Sequence, residues 1–145
     1  MNTDKVNIHE IGQKYAVAVV VATEVPPDAP EAEFSAVIDV MRNRAKASGK
    51  SLVEVVLERN QFSAVCREDY WRKAMAGKWQ RDHVERCYAM LDMQWPDTTG
   101  GATHYYSPIS MVPQWSIPQW ATKFEARTVS GVRQDYFRFY KGTYP

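Results

Sequence analysis

The sequence predicts an α+β fold, with helices first and a small antiparallel sheet last. Three observations carry this reading. Long apolar-periodic segments separated by helix breakers fill the chain up to Pro96, turn-forming residues crowd the stretch after it, and the C-terminal segment alternates side chains with the period of a strand. At 145 residues the chain has the length of one domain, 1–145, able to bury roughly 70% of its unfolded surface.

The first helix is predicted over about Asn7 to Thr23, where Ile8, Ile11, Tyr15, Ala18 and Ala22 fall at helical spacing. Within it, the run Tyr15 to Ala22 shows no polar face and reads as an element surrounded by protein. Val17, Val19, Val20 and Val21 would also suit a strand, but the upstream spacing favours a buried helix. Val25-Pro26-Pro27-Asp28-Ala29-Pro30 cannot continue it, and Pro30 is placed to open the next helix from its first helical position. Glu24 is thereby left at a helix end beside a loop.

A second helix follows from about Glu31 to Ser48, with Phe34, Val37, Ile38 and Met41 on one face and Gly49 after it. Ser51 to Glu54 has the form of a capping box and starts a short helix over Leu52 to Glu58. After the polar segment Asn60-Gln61-Phe62-Ser63 come helices over about Asp69 to Ala76 and Arg81 to Met93. Asp97 to Gly101 is a turn cluster, His104-Tyr105-Tyr106 is short and extended, and Ser107 to Gln119 is an irregular loop with three prolines. Ala126 to Val129 and Tyr136 to Tyr140 read as two strands around Ser130-Gly131.

Composition narrows the function classes. Lys and Arg number 18 against 17 Asp and Glu, and no basic run tracks a phosphate backbone, so no nucleic-acid partner is expected. Cys66 and Cys87 form no metal spacing, so neither a metal site nor a cofactor is expected. The N-terminus lacks a signal-peptide pattern, and the apolar run is shorter than the ~20 residues a bilayer needs, so stable membrane insertion is not expected. Five Trp, eight Tyr and five Phe are a generous aromatic supply, suited to sugar or partner binding where the rings are exposed.

Three constellations can carry chemistry. Glu24 ends an apolar wall, where desolvation penalises the charged form and makes a general acid; its plain alternative is a helix-end carboxylate facing water. Asn60-Gln61-Phe62-Ser63 is a polar segment around one ring, or simply a turn pinned by Phe62. Gly101-Ala102-Thr103-His104-Tyr105-Tyr106 sets several donors and rings along one short strand, more than core filling requires.

Together these residues resemble the cell-wall hydrolases of the spore-cortex-lytic enzyme type. The likeness rests on Ala22-Thr23-Glu24 closing an apolar first helix, Val40-Met41-Arg42-Asn43-Arg44, Gln61-Phe62-Ser63, Gly101 to Tyr106, Pro113-Gln114-Trp115 and Tyr136 to Tyr140, in the family's order. It implies a lysozyme-like α+β fold acting on the glycan strands of peptidoglycan, with Glu24 as catalytic acid. It also implies that Gln61, Ser63, Thr103 and Tyr105 or Tyr106 line the glycan groove. Trp115, Trp120 and Tyr106 are candidates to stack on sugars, Trp120 being the one best explained as packing. The proline-rich segment after Glu24 departs from the family's small, Gly-containing loop and predicts a stiffer lip. Asn43 and Arg44 are expected to tie the second helix to loop backbone.

Glycoside hydrolysis generally needs a second carboxylate. Asp28, Glu31 and Glu33 are near Glu24 in sequence, but the last two fall in a first helical turn, where the dipole explains them, and the Gln61 and Thr103 motifs hold none. A lytic transglycosylase, in which the muramic-acid 6-hydroxyl closes onto the anomeric carbon and one carboxyl serves as acid and then base, is the reading that follows. A hydrolytic muramidase is the runner-up. A thiol enzyme using Cys66 or Cys87 with His83 or His104, and a non-catalytic glycan-binding or virion structural protein, are rivals of other classes. The expected setting is a monomeric phage lysis protein, held in the host cytoplasm after synthesis and acting on the wall in the periplasm.

Overall fold

A computed structural model describes residues 7–58 and 81–144. Helix α1 spans Ile8–Glu24, capped by Asn7, whose side chain accepts a hydrogen bond from the Glu10 amide. Residues Val17 to Ala22 are buried around the whole helix circumference. Each valine loses a few tenths of a kcal/mol in helix propensity, whereas burying each side chain returns about 1.5–3 kcal/mol, so packing decides the helix over the strand. Ile8 and Ile11, read from spacing as part of the apolar stripe, are instead 78% and 45% exposed, because packing covers only the later turns of α1.

Helix α2 (Glu31–Ser48) has the expected bounds; Pro30 is its N-cap, not its first helical residue, and offers no side-chain acceptor. Phe34, Val37, Ile38 and Met41 are fully buried, and Gly49 closes the helix in the left-handed conformation. Helix α3 (Leu52–Val56) begins with the complete Ser51–Glu54 capping box and ends two residues short of the expected Glu58. Helix α4 (Arg81–Leu91) packs along α1 and also meets α2, and Lys14 of α1 pairs with Asp92 just beyond it. The helix expected over Asp69 to Ala76 lies outside the described residues.

A three-stranded antiparallel sheet, order β1-β3-β2, is built from β1 (His104–Tyr106), β2 (Glu125–Arg127) and β3 (Arg138–Lys141). Tyr105 and Arg127 are both opposite Phe139. The strands are shorter than the alternating pattern implied, and the loop between β2 and β3 explains it. Glu33, fully buried in the first turn of α2, accepts from the Arg133 backbone amide at 3.0 Å and from its Nε and an Nη at 2.8 Å. Arg133 is thus pulled to α2, and its carbonyl accepts from the amides of Tyr136 and Phe137, spending those residues in a turn. Gly131 makes the approach possible: its φ is +81° and a Cβ there would sit 2.9 Å from that of Ala32.

The sheet is fastened to the helices through the turn before β1. Asp97 accepts from the amide and hydroxyl of Thr99 and the amide of Gly101 at 2.7–2.8 Å. Burial alone would raise its carboxyl, but these donors outweigh it and hold Asp97 below the usual carboxylate range. Asp39 of α2, buried, takes Trp95 Nε1 and both donors of Thr98. Asn43 donates to the Ala102 carbonyl at 2.9 Å and Arg44 Nε to that of Thr103 at 2.6 Å, the tie of helix to loop backbone that the sequence led us to expect.

Candidate active site

Glu24 is the final residue of α1, and Val25 leaves the helix in extended conformation while its amide still reaches the Val21 carbonyl. A helix end set in an apolar wall leaves carbonyls in need of donors. His83, on the buried face of α4, meets that need: its Nε2 lies 3.0 Å from the Ala22 oxygen and 2.8 Å from that of Val25. Both partners are acceptors, so Nε2 carries the hydrogen. The ring is fixed edge-on to Phe34 at 5.5 Å. The chain on both sides of Glu24 is therefore clamped by one side chain, 59 positions further on.

β1 brings Tyr105 to the same point, and its hydroxyl donates to Glu24 Oε1 at 2.9 Å. Loss of water around the phenol, then the charge of Glu24 and this hydrogen bond, push Tyr105 well above the ordinary tyrosine range, so it remains a donor through the physiological interval. Arg44, buried, adds a positive charge that acts on both Tyr105 and Glu24; burial draws the guanidinium below its ordinary range, while the phenols of Tyr105 and Tyr144 and the carboxylates of Glu58 and Glu24 pull the other way.

Glu24 and Tyr105 open on a cavity of about 490 Å³. Thr23 and Pro26 form the wall on the α1 side, Tyr106, Ser107, Ile109 and Ser110 follow from β1 into the loop, and Tyr136 and Phe137 close it from the turn before β3. Glu24 is the only carboxylate among the described residues lining it. Asp28 and Glu31 are exposed to solvent, and Glu33 is engaged by Arg133.

The candidate residues separate. Glu24, Tyr105 and Tyr106 come together, Tyr106 stacking on Tyr140 at 6.0 Å. Thr103 does not line the cavity: its hydroxyl donates to the Gly142 carbonyl and accepts from the Gly142 amide, sewing β1 to the end of β3. Trp115 also falls outside the lining, 47% exposed, with its ring over Arg138. Gln61 and Ser63 lie outside the described residues. Trp120 sits among His104, Tyr106, Phe124 and Tyr140 as packing. His104, wedged between Trp120 and Phe124, is lowered to about 4 by burial and by the charge of Arg44, so it is neutral at pH 7.

Sequence reasoning missed Ser107, Ser110 and Tyr136 as lining residues and His83 as the clamp. The thiol reading loses its described cysteine, since Cys87 is buried and its thiol pushed up to about 12; Cys66 lies outside the described residues. No group of three or more His, Cys, Asp or Glu side chains comes together among the described residues, and no helix among them is long and apolar enough to cross a membrane.

A family model described as Cell Wall Hydrolase matches residues 28–133, most of the chain, beginning just after Glu24. Among solved structures the chain is similar to the catalytic domain of the germination-specific lytic transglycosylase SleB from Bacillus anthracis, with a TM-score of 0.62 and 18% identity over 97% of this chain and 100% of that one. At that identity the likeness establishes the fold, a mainly helical, lysozyme-like α+β arrangement with a small antiparallel sheet. No curated protein matches by sequence.

Proposed function

The chain belongs to the cell wall hydrolase family, and from that premise we propose that it cleaves the glycan strands of peptidoglycan between N-acetylmuramic acid and N-acetylglucosamine, as a lytic transglycosylase with Glu24 as its acid and base. The observation that carries this is the Glu24 corner: a carboxyl at a helix end, clamped through its backbone, hydrogen-bonded by Tyr105, and facing a cavity whose described lining holds no other carboxylate. In the first step Glu24 gives its proton to the glycosidic oxygen as the bond to the anomeric carbon breaks. The resulting carboxylate is stabilised by the Tyr105 hydroxyl and the nearby charge of Arg44. It then takes the proton of the muramic 6-hydroxyl as that oxygen bonds to the anomeric carbon, which returns Glu24 to its starting form and consumes no water.

The described geometry favours this over hydrolysis for one reason. A hydrolase would need a second carboxylate to activate water or attack the sugar, and the three nearest in sequence are exposed or committed elsewhere. Mass spectrometry of the released muropeptides is the test. Products lighter by one water than reducing-end fragments, carrying a 1,6-anhydro ring, are expected; reducing-end products would make the enzyme a hydrolytic muramidase. The setting belongs to the same proposal: a phage lysis protein that accumulates in the host cytoplasm and meets its substrate in the periplasm. Expression in a bacterial host should leave cells intact until the inner membrane is permeabilised, and lysis without permeabilisation would refute that setting.

A further inference from the structure

His83 is a buried side chain to which the proposed reaction gives no part, and its contacts converge on the end of α1. In a continuing α-helix the Ala22 carbonyl would accept from the amide of residue 26, but that residue is Pro26, which has no N–H. Val25, preceding a proline, is turned out of the helical region to φ −118° and ψ 123°, so α1 stops with carbonyls to satisfy in two buried residues, Ala22 and Val25. His83 Nε2 lies 3.0 Å from the first carbonyl oxygen and 2.8 Å from the second. One shared N–H thus supplies the donor that the proline removes. The ring has no other polar task among the described residues, since its Nδ1 is buried with no hydrogen-bond partner. An apolar ring of similar size would leave no such orphan, so the Nε2 donation is what a histidine adds at this position. The ring meets Phe34 edge-on at 5.5 Å, and Arg86, one turn further along α4, lies 4.2 Å over the same Phe34 ring. Phe34 belongs to α2 and is fully buried, so His83 is registered against a second helix while it holds the first.

Glu24 stands between those two carbonyls in the chain. Its carboxylate accepts from the Tyr105 hydroxyl of β1 at 2.9 Å, so the residue is held twice, by α4 through its flanking backbone and by the sheet through its side chain. A backbone shift that displaces a reacting group by about 1 Å can cost on the order of 10²-fold in rate, so a brace at this point bears on chemistry as well as on folding. We propose that His83 is a positioning residue for Glu24: standing in for the amide that Pro26 lacks, it fixes the end of α1 in the conformation that carries the Glu24 carboxyl to Tyr105 and the cavity. The inference rests on the reading of Glu24 as acid and base given above.

Three substitutions separate the donor from the ring. His83→Phe keeps the packing and loses the N–H, His83→Gln places an amide N–H close to where Nε2 stands, and His83→Asn carries its amide too near the backbone to reach. Turnover of solubilised glycan strands is measured per folded molecule, well below each variant's melting transition. His83→Phe and His83→Asn should each lower kcat by about five- to twentyfold with KM within about twofold, and His83→Gln should stay within about threefold of wild type. Lower melting temperatures with unchanged kcat in the Phe and Asn variants would make His83 a core histidine and nothing more. Equal losses in the Gln and Phe variants, or a change confined to KM, would likewise overturn the proposal. If His83→Phe does not fold, the contrast between Gln and Asn carries the test. A second readout needs no turnover: the NMR signal of the Glu24 side-chain carboxyl carbon, assigned by its loss in Glu24→Gln. Tyr105→Phe should move that signal in the wild-type and His83→Gln proteins and leave it in place in His83→Phe, where the carboxyl no longer meets the phenol. The same displacement in all three would overturn the brace. Absence of wall clearing by the wild-type protein would strike the peptidoglycan reading and leave this second readout standing.

Discussion

Two glutamates on either side of a proline-rich link show how this fold assigns work to a carboxylate. Glu33, at the start of α2, is wholly buried and accepts three hydrogen bonds from Arg133, which hold it away from the Glu24 cavity. Glu24, at the end of α1, is held through its backbone and by a phenol, and faces a cavity. The residues around them differ in kind: Glu33 is gripped by a guanidinium fork, whereas Glu24 accepts from a phenol and opens on a cavity.

The contrast breaks most sharply at Glu24. Glu24→Gln should lower peptidoglycan clearing by about 10²- to 10⁴-fold with a melting temperature within a few degrees of wild type, and retained clearing would remove Glu24 from the mechanism. Tyr105→Phe sharpens it: loss of one hydrogen bond to a charged group should cost about 10- to 100-fold in kcat, with KM little changed. Glu33→Gln should do the converse. Breaking a buried pair, discounted because Arg133 is partly solvated, should cost about 2–3 kcal/mol and roughly 8 °C in melting temperature, while activity per folded molecule stays within a few-fold. An activity loss without destabilisation would give Glu33 a chemical role.

A pH titration extends the comparison to a packed side chain. His104 is held near 4 in the folded protein, below its unfolded value, so between about pH 6.5 and 4 the unfolded chain binds the extra proton. Stability should therefore be full above that window and fall as pH drops through it, and His104→Gln should flatten that part of the melting-temperature profile. The smallest effects are expected at Asp28→Asn and Glu31→Gln, each within about twofold of wild-type turnover, since both side chains point into water. A collapse at either one would restore the two-carboxylate mechanism.

The sequence made the Glu24 corner legible because its signals are local: a run of valines, a proline stop, a capping box, a glycine after α2. Asn43 and Arg44 were legible as ties because a helix facing a turn cluster has loop carbonyls to satisfy. What stayed hidden depends on pairing between distant segments. Thr103 reads like a groove residue from its neighbours, yet its hydroxyl is taken by Gly142, 39 positions away. Trp115 reads as a stacking ring, but a residue in left-handed backbone conformation points where the loop sends it, here towards Arg138. The ends of β2 and β3 were misplaced because the Glu33–Arg133 attachment, invisible in the alternation of Tyr136 to Tyr140, turns the chain before the ladder begins. His83 offered only its place on the buried face of α4 beside Cys87, a position any core histidine would share.

One consequence of α1 ending at Glu24 belongs to the backbone itself. The aligned peptide dipoles of a helix leave about half a negative elementary charge at its C-terminus, and the last turn of α1 has no basic residue to offset it. A helix C-terminus of this kind favours donors and positive charge within its last turn. His83 moderates this field by donating to the carbonyls on either side of Glu24, so that a buried imidazole from a different helix takes part in the electrostatics of the α1 terminus.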